Sequence, residues 1–124
     1  MVDAKRVNGG DKLPVFHGPI GCFPTGASPF EVEELSGTIG EWTRSLWGPT
    51  LQKPTFRYPY NPADGRENLV ATPDVARVVR GGSPLFFPEM LRAARRQDVP
   101  PTFDFGVVGF RVALCQFTKN LGVR

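Results

Sequence analysis

This sequence contains little histidine and cysteine, with one histidine and two cysteines among 124 residues. His17, Cys22 and Cys115 are far apart in the chain and form no Cys-x-x-Cys pair, so a zinc site would lack ligands. The sequence leaves a disulfide between the two cysteines open. Because no apolar signal segment precedes the chain, we expect two buried free thiols in a reducing compartment, the cytoplasm.

Long apolar runs and concentrated positive charge are also missing. No run approaches the roughly 18 residues that a membrane-spanning helix needs, so we expect no membrane span. The formal net charge is only +3, and the densest basic group consists of Arg92, Arg95 and Arg96. Nucleic-acid-binding domains usually show a basic stripe with interleaved aromatic residues. We therefore expect no nucleic-acid partner and interpret these arginines as a solvated face with internal salt bridges.

Glycine and proline are abundant, with 14 and 13 residues, and hydrophobic residues make up 40% of the chain. This glycine and proline content is high for a helical bundle and too low for a low-complexity disordered segment. A chain of this length fits one domain that buries roughly two thirds of its unfolded surface. The composition therefore predicts a folded, loop-rich, β-containing domain.

The pattern along the first part of the chain predicts a loose lead-in followed by short elements. Residues 1–18 offer turn chemistry with almost no hydrophobic period, so the domain is expected to occupy residues 19–124. We predict a short helical turn near residues 29–35 and a strand near residues 39–43, because intervening glycines would weaken a longer helix. Residues 48–75 are rich in proline and are expected to form a long loop over the core or at a functional site.

The second part of the chain contains two predicted strands and one ambiguous segment. Residues 76–80 form a β-branched pair framed by arginines, which predicts a strand that ends at Gly81 and Gly82. Residues 88–96 have a proline at a possible first helical position, which predicts a short helix, whereas their alternation is equally typical of a strand. Residues 107–114 alternate well enough to predict a strand.

Five short blocks in this chain carry a resemblance to a known protein family. They read Pro-Ile-Gly-Cys-Phe-Pro at residues 19–24, Gly-Thr-Ile-Gly-Glu-Trp-Thr at 37–43, Arg-Val-Val-Arg-Gly-Gly-Ser at 77–83, Arg-Ala-Ala-Arg at 92–95 and Gly-Phe-Arg at 109–111. In this order and spacing, the blocks resemble the C-terminal half of the formylglycine-generating-enzyme-like, or sulfatase-modifying-factor, domain. That domain is usually considerably longer, so the chain is expected to correspond to its C-terminal part.

The resemblance implies a fold and several structural roles. The fold is a variety of the C-type lectin fold, an α+β architecture that is loop-rich, with short antiparallel strands and few short helices. Residues 91–96 are expected to be extended, because the family's Arg-x-Ala-x-Arg segment lies in the core sheet. The implied core positions are Trp42, Phe110 and Val112. The implied structural arginines, buried or half-buried, are Arg80, Arg95 and Arg111.

The resemblance also bears on metals. The family's oxidases hold copper through two cysteines just after the Gly-Gly-Ser block, since thiolates suit Cu(I), but residues 84–88 contain no cysteine. Another branch uses non-heme iron held by histidines, and His17 is the only imidazole of this chain. We therefore expect neither copper nor iron. A calcium ion, which prefers oxygen donors, is the cofactor that the resemblance allows. Its implied ligands are Glu34, Gly37, Ile39 and Glu41. Alternatively, the two glutamates are ordinary surface acids.

The residues between the conserved blocks of the family point to binding. In the variable proteins of diversity-generating retroelements, a group of these domains, the residues between the Gly-Gly-Ser and Gly-Phe-Arg blocks form a ligand-binding surface. The same stretches are apolar in this chain, and an exposed apolar patch marks an interaction site. The predicted ligand-binding residues are Pro84, Leu85, Phe86, Phe87, Glu89, Met90, Thr102, Phe103, Asp104, Phe105 and Val107. The alternative is that the phenylalanines among them complete the core.

Two functions remain open at the level of the sequence. The favoured hypothesis is a non-catalytic domain that binds a protein or another macromolecule. The alternative is a fragment of a larger metal-dependent oxidase, of the formylglycine-generating or non-heme-iron sulfoxide-synthase type. The missing cysteines after the Gly-Gly-Ser block favour the non-catalytic domain.

Overall fold

The structure is a computed structural model, and it describes residues 18–104 and 106–114. Its strands are β1 (Gly40–Gly48), β2 (Ala76–Arg80), β3 (Gln97–Val99) and β4 (Val108–Gly109). Short 3₁₀ turns lie at Pro24–Gly26 and Pro88–Leu91, and no α-helix occurs among the described residues. The described part of the chain is therefore a small, loop-rich domain built around strands.

The four strands form one sheet in the order β3-β2-β1-β4. β2 pairs antiparallel with both neighbours, and Trp42 of β1 lies opposite Val79 of β2. β4 pairs parallel with β1. This parallel pair differs from the antiparallel strands that the resemblance implies. β1 has irregular register against β2 on either side of Leu46, and such bulges bend a strand. The sheet is accordingly short and curled.

The core lies on both faces of β2. Successive residues of a strand point to opposite faces, and the neighbours Val78 and Val79 are both buried. The buried hydrophobic residues of the described structure are Leu46, Ala76, Val78, Val79, Leu91 and Val107. Because both sides of the central strand are covered, the connecting loops must supply part of the cover.

The proline-rich segment 49–75 has no helix or strand, as the sequence predicts, and it is tied to β1. The Leu46 N–H donates to the Arg66 carbonyl at 2.7 Å, and the Thr55 N–H donates to the Trp47 carbonyl at 2.9 Å. These bonds hold the loop against one edge of the sheet. The prediction of a long loop without helix or strand is therefore confirmed.

Gly81 and Gly82 end β2 with two consecutive left-handed residues, at φ of 89° and 74°. The Gly37 N–H donates to the Gly81 carbonyl at 2.9 Å, so this turn also anchors the segment that leads into β1. A side chain with a Cβ is strained at such φ values, whereas glycine is not. The prediction of strand 76–80 and its glycine stop is confirmed.

Three predicted elements differ in the structure. Residues 29–35 form no helical turn: a turn at residues 29–30 is followed by irregular backbone, with positive φ at Glu31 and Glu34. Residues 91–96, expected to be extended, begin at the end of a 3₁₀ turn and continue as a second turn, and the strand starts only at Gln97. The strand predicted over residues 107–114 is reduced to β4, because only its first residues reach a partner strand.

The implied core was wrong at its C-terminal end. Phe110 and Val112 are largely exposed, because β4 ends before them, and Trp42 is only half-buried. Among the implied structural arginines, Arg80 is half-buried, while Arg95 and Arg111 are exposed. Cys22, expected to be a buried thiol, is also exposed, and Cys115 lies outside the described residues. Within the described structure, no helix has the length and apolar character needed to cross a bilayer.

Candidate functional site

The segments on either side of β3 enclose a cleft of about 270 Å³, called here the apolar cleft. Its lining residues are Phe86, Met90, Arg95, Gln97, Asp98, Val99, Pro100 and Phe103. Two of the three aromatic or thioether side chains come from the turn after β2, and the third follows β3. Residues that are distant in sequence therefore converge on one opening.

Local hydrogen bonds position the first side of the apolar cleft. Ser83 is fully buried directly after the glycine turn, and its carbonyl accepts the Phe86 N–H at 2.9 Å. Its hydroxyl accepts the Leu85 N–H at 3.2 Å. The Met90 N–H then donates to the Phe87 carbonyl at 2.8 Å and closes the next turn. The Gly-Gly-Ser block thus presents Phe86 and Met90 to the cleft.

The opposite side of the apolar cleft is β3 and the turn that follows it. Phe103 is held by its N–H, which donates to the Pro100 carbonyl at 2.9 Å, and its side chain is 44% exposed. Gln97 is 9% exposed, and its Nε2 atom is buried with no hydrogen-bond partner in the described structure. A buried polar atom without a partner costs about 1 to 3 kcal/mol. A bound acceptor towards which the amide could turn would recover this energy.

The sequence-predicted ligand-binding residues fall into three groups. Those that line the apolar cleft are Phe86, Met90 and Phe103. Those exposed outside its lining are Leu85, Phe87, Glu89, Thr102 and Asp104. Those buried in the interior are Pro84 and Val107, which therefore support the fold and offer no accessible surface. Phe105 lies outside the described residues.

Sequence reasoning missed the polar part of the apolar cleft. Gln97, Asp98 and the neighbouring Arg95 lie between the two predicted stretches and were assigned to an extended core segment or left out. Gln97 pairs with Val79 across β2 and β3, and this register turns its side chain into a buried position. The only sequence signal for a strand there is the three residues of β3. Three residues are too few to show an alternation of buried and exposed side chains.

A second cavity, of about 470 Å³, lies at the other edge of the sheet and is called here the acidic cavity. Its lining residues are Ile20, Glu31, Glu33, Glu34, Thr38, Ile39, Glu41, Phe110 and Arg111. It brings together Glu34, Ile39 and Glu41, three of the four implied calcium ligands. Gly37, the fourth, is buried beside it.

The oxygens of the acidic cavity are already engaged by groups of the protein. Glu41 forms a salt bridge with Arg111, whose Nε donates to Glu41 Oε1 at 2.7 Å. Glu34 Oε2 accepts the Thr38 hydroxyl at 2.6 Å, and Glu34 Oε1 accepts the Gly21 N–H at 3.2 Å. Within the described residues, no group of three or more His, Cys, Asp or Glu side chains is arranged to hold a metal ion. In the described geometry Glu41 is paired with Arg111, and the calcium site, which would also use the backbone carbonyls of Gly37 and Ile39, stays a prediction.

Arg111 supplies the positive charge of the acidic cavity. Besides Glu41, its guanidinium reaches the carbonyls of Glu33 at 2.8 Å and Glu34 at 3.1 Å. One planar guanidinium thus joins the segment before β1 to β1 itself, in the fork geometry that arginine favours. The Gly-Phe-Arg block is therefore a structural tie in this chain.

This arrangement predicts the effect of replacing Arg111 by methionine. The substitution removes charge-assisted hydrogen bonds at a partly exposed site, so we expect the free energy of unfolding to fall by about 1 to 2 kcal/mol. Calcium at about 1 mM, the range of weak sites, should leave the wild-type melting temperature unchanged and raise that of R111M. Differential scanning fluorimetry measures the melting temperatures of wild type and R111M with and without calcium. R92M, at an exposed arginine, is the control. Calcium stabilisation of the wild type would contradict this account and favour the calcium site.

Comparison with known proteins identifies one match. The family model described as the sulfatase-modifying factor enzyme 1-like domain matches residues 8–115. No curated protein and no solved structure matches the chain. The family match includes all five blocks and both cavities.

Proposed function

This chain belongs to the sulfatase-modifying factor enzyme 1-like family, and we propose that it uses a C-type-lectin-like variety of that scaffold as a non-catalytic binding domain. The ligand occupies the apolar cleft and is a protein segment that presents an apolar side chain beside a backbone carbonyl. The observation that carries the proposal is the convergence of Phe86, Met90 and Phe103 around the buried amide of Gln97.

The apolar side chains provide the affinity in this proposal. Phe103 is 44% exposed, and Phe87, next to the lining residue Phe86 in sequence, is 73% exposed, so a ligand can still remove much aromatic surface from water. Each square ångström of apolar surface removed from water contributes roughly 25 cal/mol. Aromatic anchors in pockets dominate the binding energy of many interfaces. Met90 adds an adaptable surface that can fit side chains of different shape.

The polar groups of the apolar cleft provide the orientation. Gln97 has a buried donor without a partner in the described structure, and a ligand carbonyl would satisfy it once the amide turns towards the cleft. Arg95 and Asp98 line the same opening with opposite charges, so neither a strongly acidic nor a strongly basic ligand is favoured. A peptide segment offers both a backbone carbonyl for the Gln97 amide and an apolar side chain for the aromatic residues of the cleft. We therefore favour a protein partner over other macromolecules.

The position of the cleft in the sequence supports a variable binding surface. Phe86, Met90 and Phe103 lie between the Gly-Gly-Ser and Gly-Phe-Arg blocks, the region that retroelement variable proteins diversify. The encoding DNA tests this refinement. A neighbouring reverse-transcriptase gene, with a near-copy of codons 84–108 that differs mainly at adenines, is the expected finding. If the DNA contains no such gene and near-copy, the retroelement refinement is wrong, and the proposal is reduced to a binding domain whose cleft does not vary.

The binding proposal is tested with peptides selected from a random phage-displayed library. We expect enriched peptides to share an aromatic or aliphatic residue, and F86A and F103A to weaken their binding at least about tenfold, because each removes an apolar wall of the cleft. Fluorescence anisotropy of a labelled selected peptide measures the affinities. F30A is the matched control, because Phe30 is 87% exposed and does not line the cleft.

Two results would contradict the binding proposal. If F103A unfolds the domain, as followed by circular dichroism, Phe103 belongs to the core and the cleft is not a free surface. If F30A weakens peptide binding as much as F86A, the peptides recognise aromatic surface in general. Oxygen consumption that depends on added copper or iron, measured on the natural gene product, would instead favour the oxidase alternative.

A further inference from the structure

A third cavity, of about 350 Å³, lies between β1 and the loop 49–75 and collects arginines. It is called here the arginine pocket, and its guanidinium groups belong to Arg44, Arg66, Arg80 and Arg96. Its other lining residues include hydroxyl groups of Thr43, Ser45, Tyr58 and Tyr60, and one acid, Glu67. The volume falls near the lower end of the range for small-molecule sites, about 300 to 1,000 Å³.

Two of the four arginines in the pocket are neutralised by carboxylates. Arg66 is buried and binds Asp64 through its Nε and Nη2 atoms at 2.8 to 3.1 Å, and the Arg66 hydrogen bond lowers the pKa of Asp64 below its usual value. Arg44 forms a longer ion pair with Glu67 at 3.5 Å. Each pair is neutral in itself, and Arg44, Arg66 and Glu67 line the pocket.

The other two arginines, Arg80 and Arg96, have no carboxylate partner within the described structure. Arg80 Nη1 donates to the backbone carbonyls of Ala94 and Arg95, at 3.1 and 2.8 Å. Arg96 Nη1 donates to the Phe56 carbonyl at 2.8 Å. In both side chains Nε and Nη2 have no protein acceptor among the described residues, and neither atom is buried. The Nε and Nη2 donors of both arginines are therefore accessible to a ligand.

Arg96 is held in place before any ligand arrives. Its guanidinium carbon lies 5.4 Å from the centre of the Trp47 ring and 5.5 Å from that of the Tyr58 ring. Contacts of this kind attract a cation to the aromatic face. Burial lowers the pKa of Arg96, with a further contribution from the nearby Arg66 and Arg80. The like charges stay together because the loop and the strands fix their backbone.

We propose that the arginine pocket binds a small phosphorylated molecule, whose phosphate group lies between Arg80 and Arg96. Two unpaired guanidinium groups carry a charge of +2, and a phosphate monoester near neutral pH carries about −1.5 to −2. The planar fork of arginine matches phosphate oxygens in bidentate geometry. A single carboxylate would leave one positive charge uncompensated. Tyr58 and Tyr60 also line the pocket, and their rings contact Arg96 and Arg66 respectively.

This site is distinct from the apolar cleft. No described residue lines both, and the arginine pocket lies beside the loop 49–75, whereas the apolar cleft lies between the Gly-Gly-Ser turn and β3. Arg80 hydrogen-bonds the Ala94 and Arg95 carbonyls and Arg95 lines the cleft, so R96Q is the variant that should weaken phosphate binding and leave peptide binding unchanged. The chain would combine a surface for a protein segment with a pocket for a small anion.

Phenyl phosphate tests the proposal, with inorganic phosphate and benzoate as comparison probes. We expect phenyl phosphate to bind more tightly than benzoate in isothermal titration calorimetry, and to shift the Nε–H resonances of Arg80 and Arg96 in nitrogen-15 correlation spectra. R80Q and R96Q should each weaken binding at least about tenfold, which corresponds to the loss of one charge-assisted contact. R96K keeps the charge without the fork and should give an intermediate affinity.

The control is R57Q, because Arg57 is an exposed arginine of the same loop and does not line the pocket. Equal weakening in R57Q and R96Q would overturn the proposal, since only the net charge would then matter. Benzoate binding as tight as phenyl phosphate would overturn the choice of phosphate. If R80Q fails to fold, the wild-type spectra decide: resonance shifts confined to arginines other than Arg80 and Arg96 would exclude a phosphate between these two side chains.

Discussion

We expect Gly82→Ala to lower the free energy of unfolding by about 2 to 5 kcal/mol, a large part of the roughly 5 to 15 kcal/mol of a typical domain. Gly82 has φ of 74°, where a residue with a Cβ costs about 1 to 2 kcal/mol. The added Cβ would also lie 2.8 Å from Leu91 Cδ2 and 3.3 Å from the Met90 carbonyl oxygen. Overpacking of this kind costs about 1 to 3 kcal/mol more.

Gly65 provides a matched control for Gly82. Its φ is 86°, but a Cβ added there would meet no atom of the described residues within 4 Å. Gly65→Ala should therefore show the backbone cost alone, about 1 to 2 kcal/mol. Urea unfolding followed by tryptophan fluorescence measures both variants. Equal losses would mean that Leu91 moves aside without cost, which would contradict the tight packing of the Gly-Gly-Ser turn.

The Gly82 variant also links the fold to the proposed binding site. The displaced atoms belong to Leu91 and Met90, and Met90 lines the apolar cleft. Glycine at this position therefore lets the turn approach the 3₁₀ turn at Pro88–Leu91 closely enough to shape the cleft. A selected peptide should bind G82A more weakly than the Gly65 variant, even at temperatures where both are folded.

The second large effect is expected for Val79→Ala. Val79 is 0% exposed, and the loss of two methyl groups costs about 0.8 kcal/mol each, with an additional cost for the cavity left behind. We expect a total of about 2 to 3 kcal/mol, measured by urea unfolding. Val70→Ala is the control, because Val70 is 88% exposed, and should change stability by no more than about 0.5 kcal/mol.

Gly40 and Val79 should be energetically coupled. A Cβ added at Gly40 would lie 2.9 Å from Val79 Cγ1, so Gly40→Ala alone should be destabilising. In the Val79→Ala background the overlapping methyl group is gone, and part of that cost should disappear. A double-mutant cycle should give a coupling above about 0.5 kcal/mol, in the range of residues in direct contact. Additive effects would show that β1 and β2 do not pack as closely as described.

The sequence predicted the middle of the fold better than its ends. Strand β2, with its β-branched pair and its glycine stop, depends on local conformational preferences, and it was predicted over the correct residues. β1 was predicted to be shorter than it is, because its bulges interrupt the alternation of buried residues. The strand over residues 107–114 was wrong beyond Gly109, since a strand needs a partner and the alternation of side chains does not supply one.

The residues of the candidate site were likewise predicted only in part. Phe86, Met90 and Phe103 were predicted as ligand-binding residues, and they line one cleft, but Pro84 and Val107 from the same stretches are buried. A sequence pattern cannot separate an apolar residue that faces a cleft from one that faces the core. Three of the four implied calcium ligands line one cavity, where the distant Arg111 forms a salt bridge with Glu41 that the sequence did not predict.

The sequence by itself determined the family, the strand β2 with its Gly-Gly-Ser turn, and the loop-rich character of the domain. These properties depend on local motifs, on glycine's access to positive φ and on proline content, all of which can be read without knowing distant contacts. Only the tertiary structure decided that Arg80 and Arg96 face one pocket without carboxylate partners, that Arg111 ties down Glu41, and that the amide of Gln97 is buried beside two phenylalanines. Each of these depends on which residues of distant segments meet across the sheet and on which charges remain unpaired there.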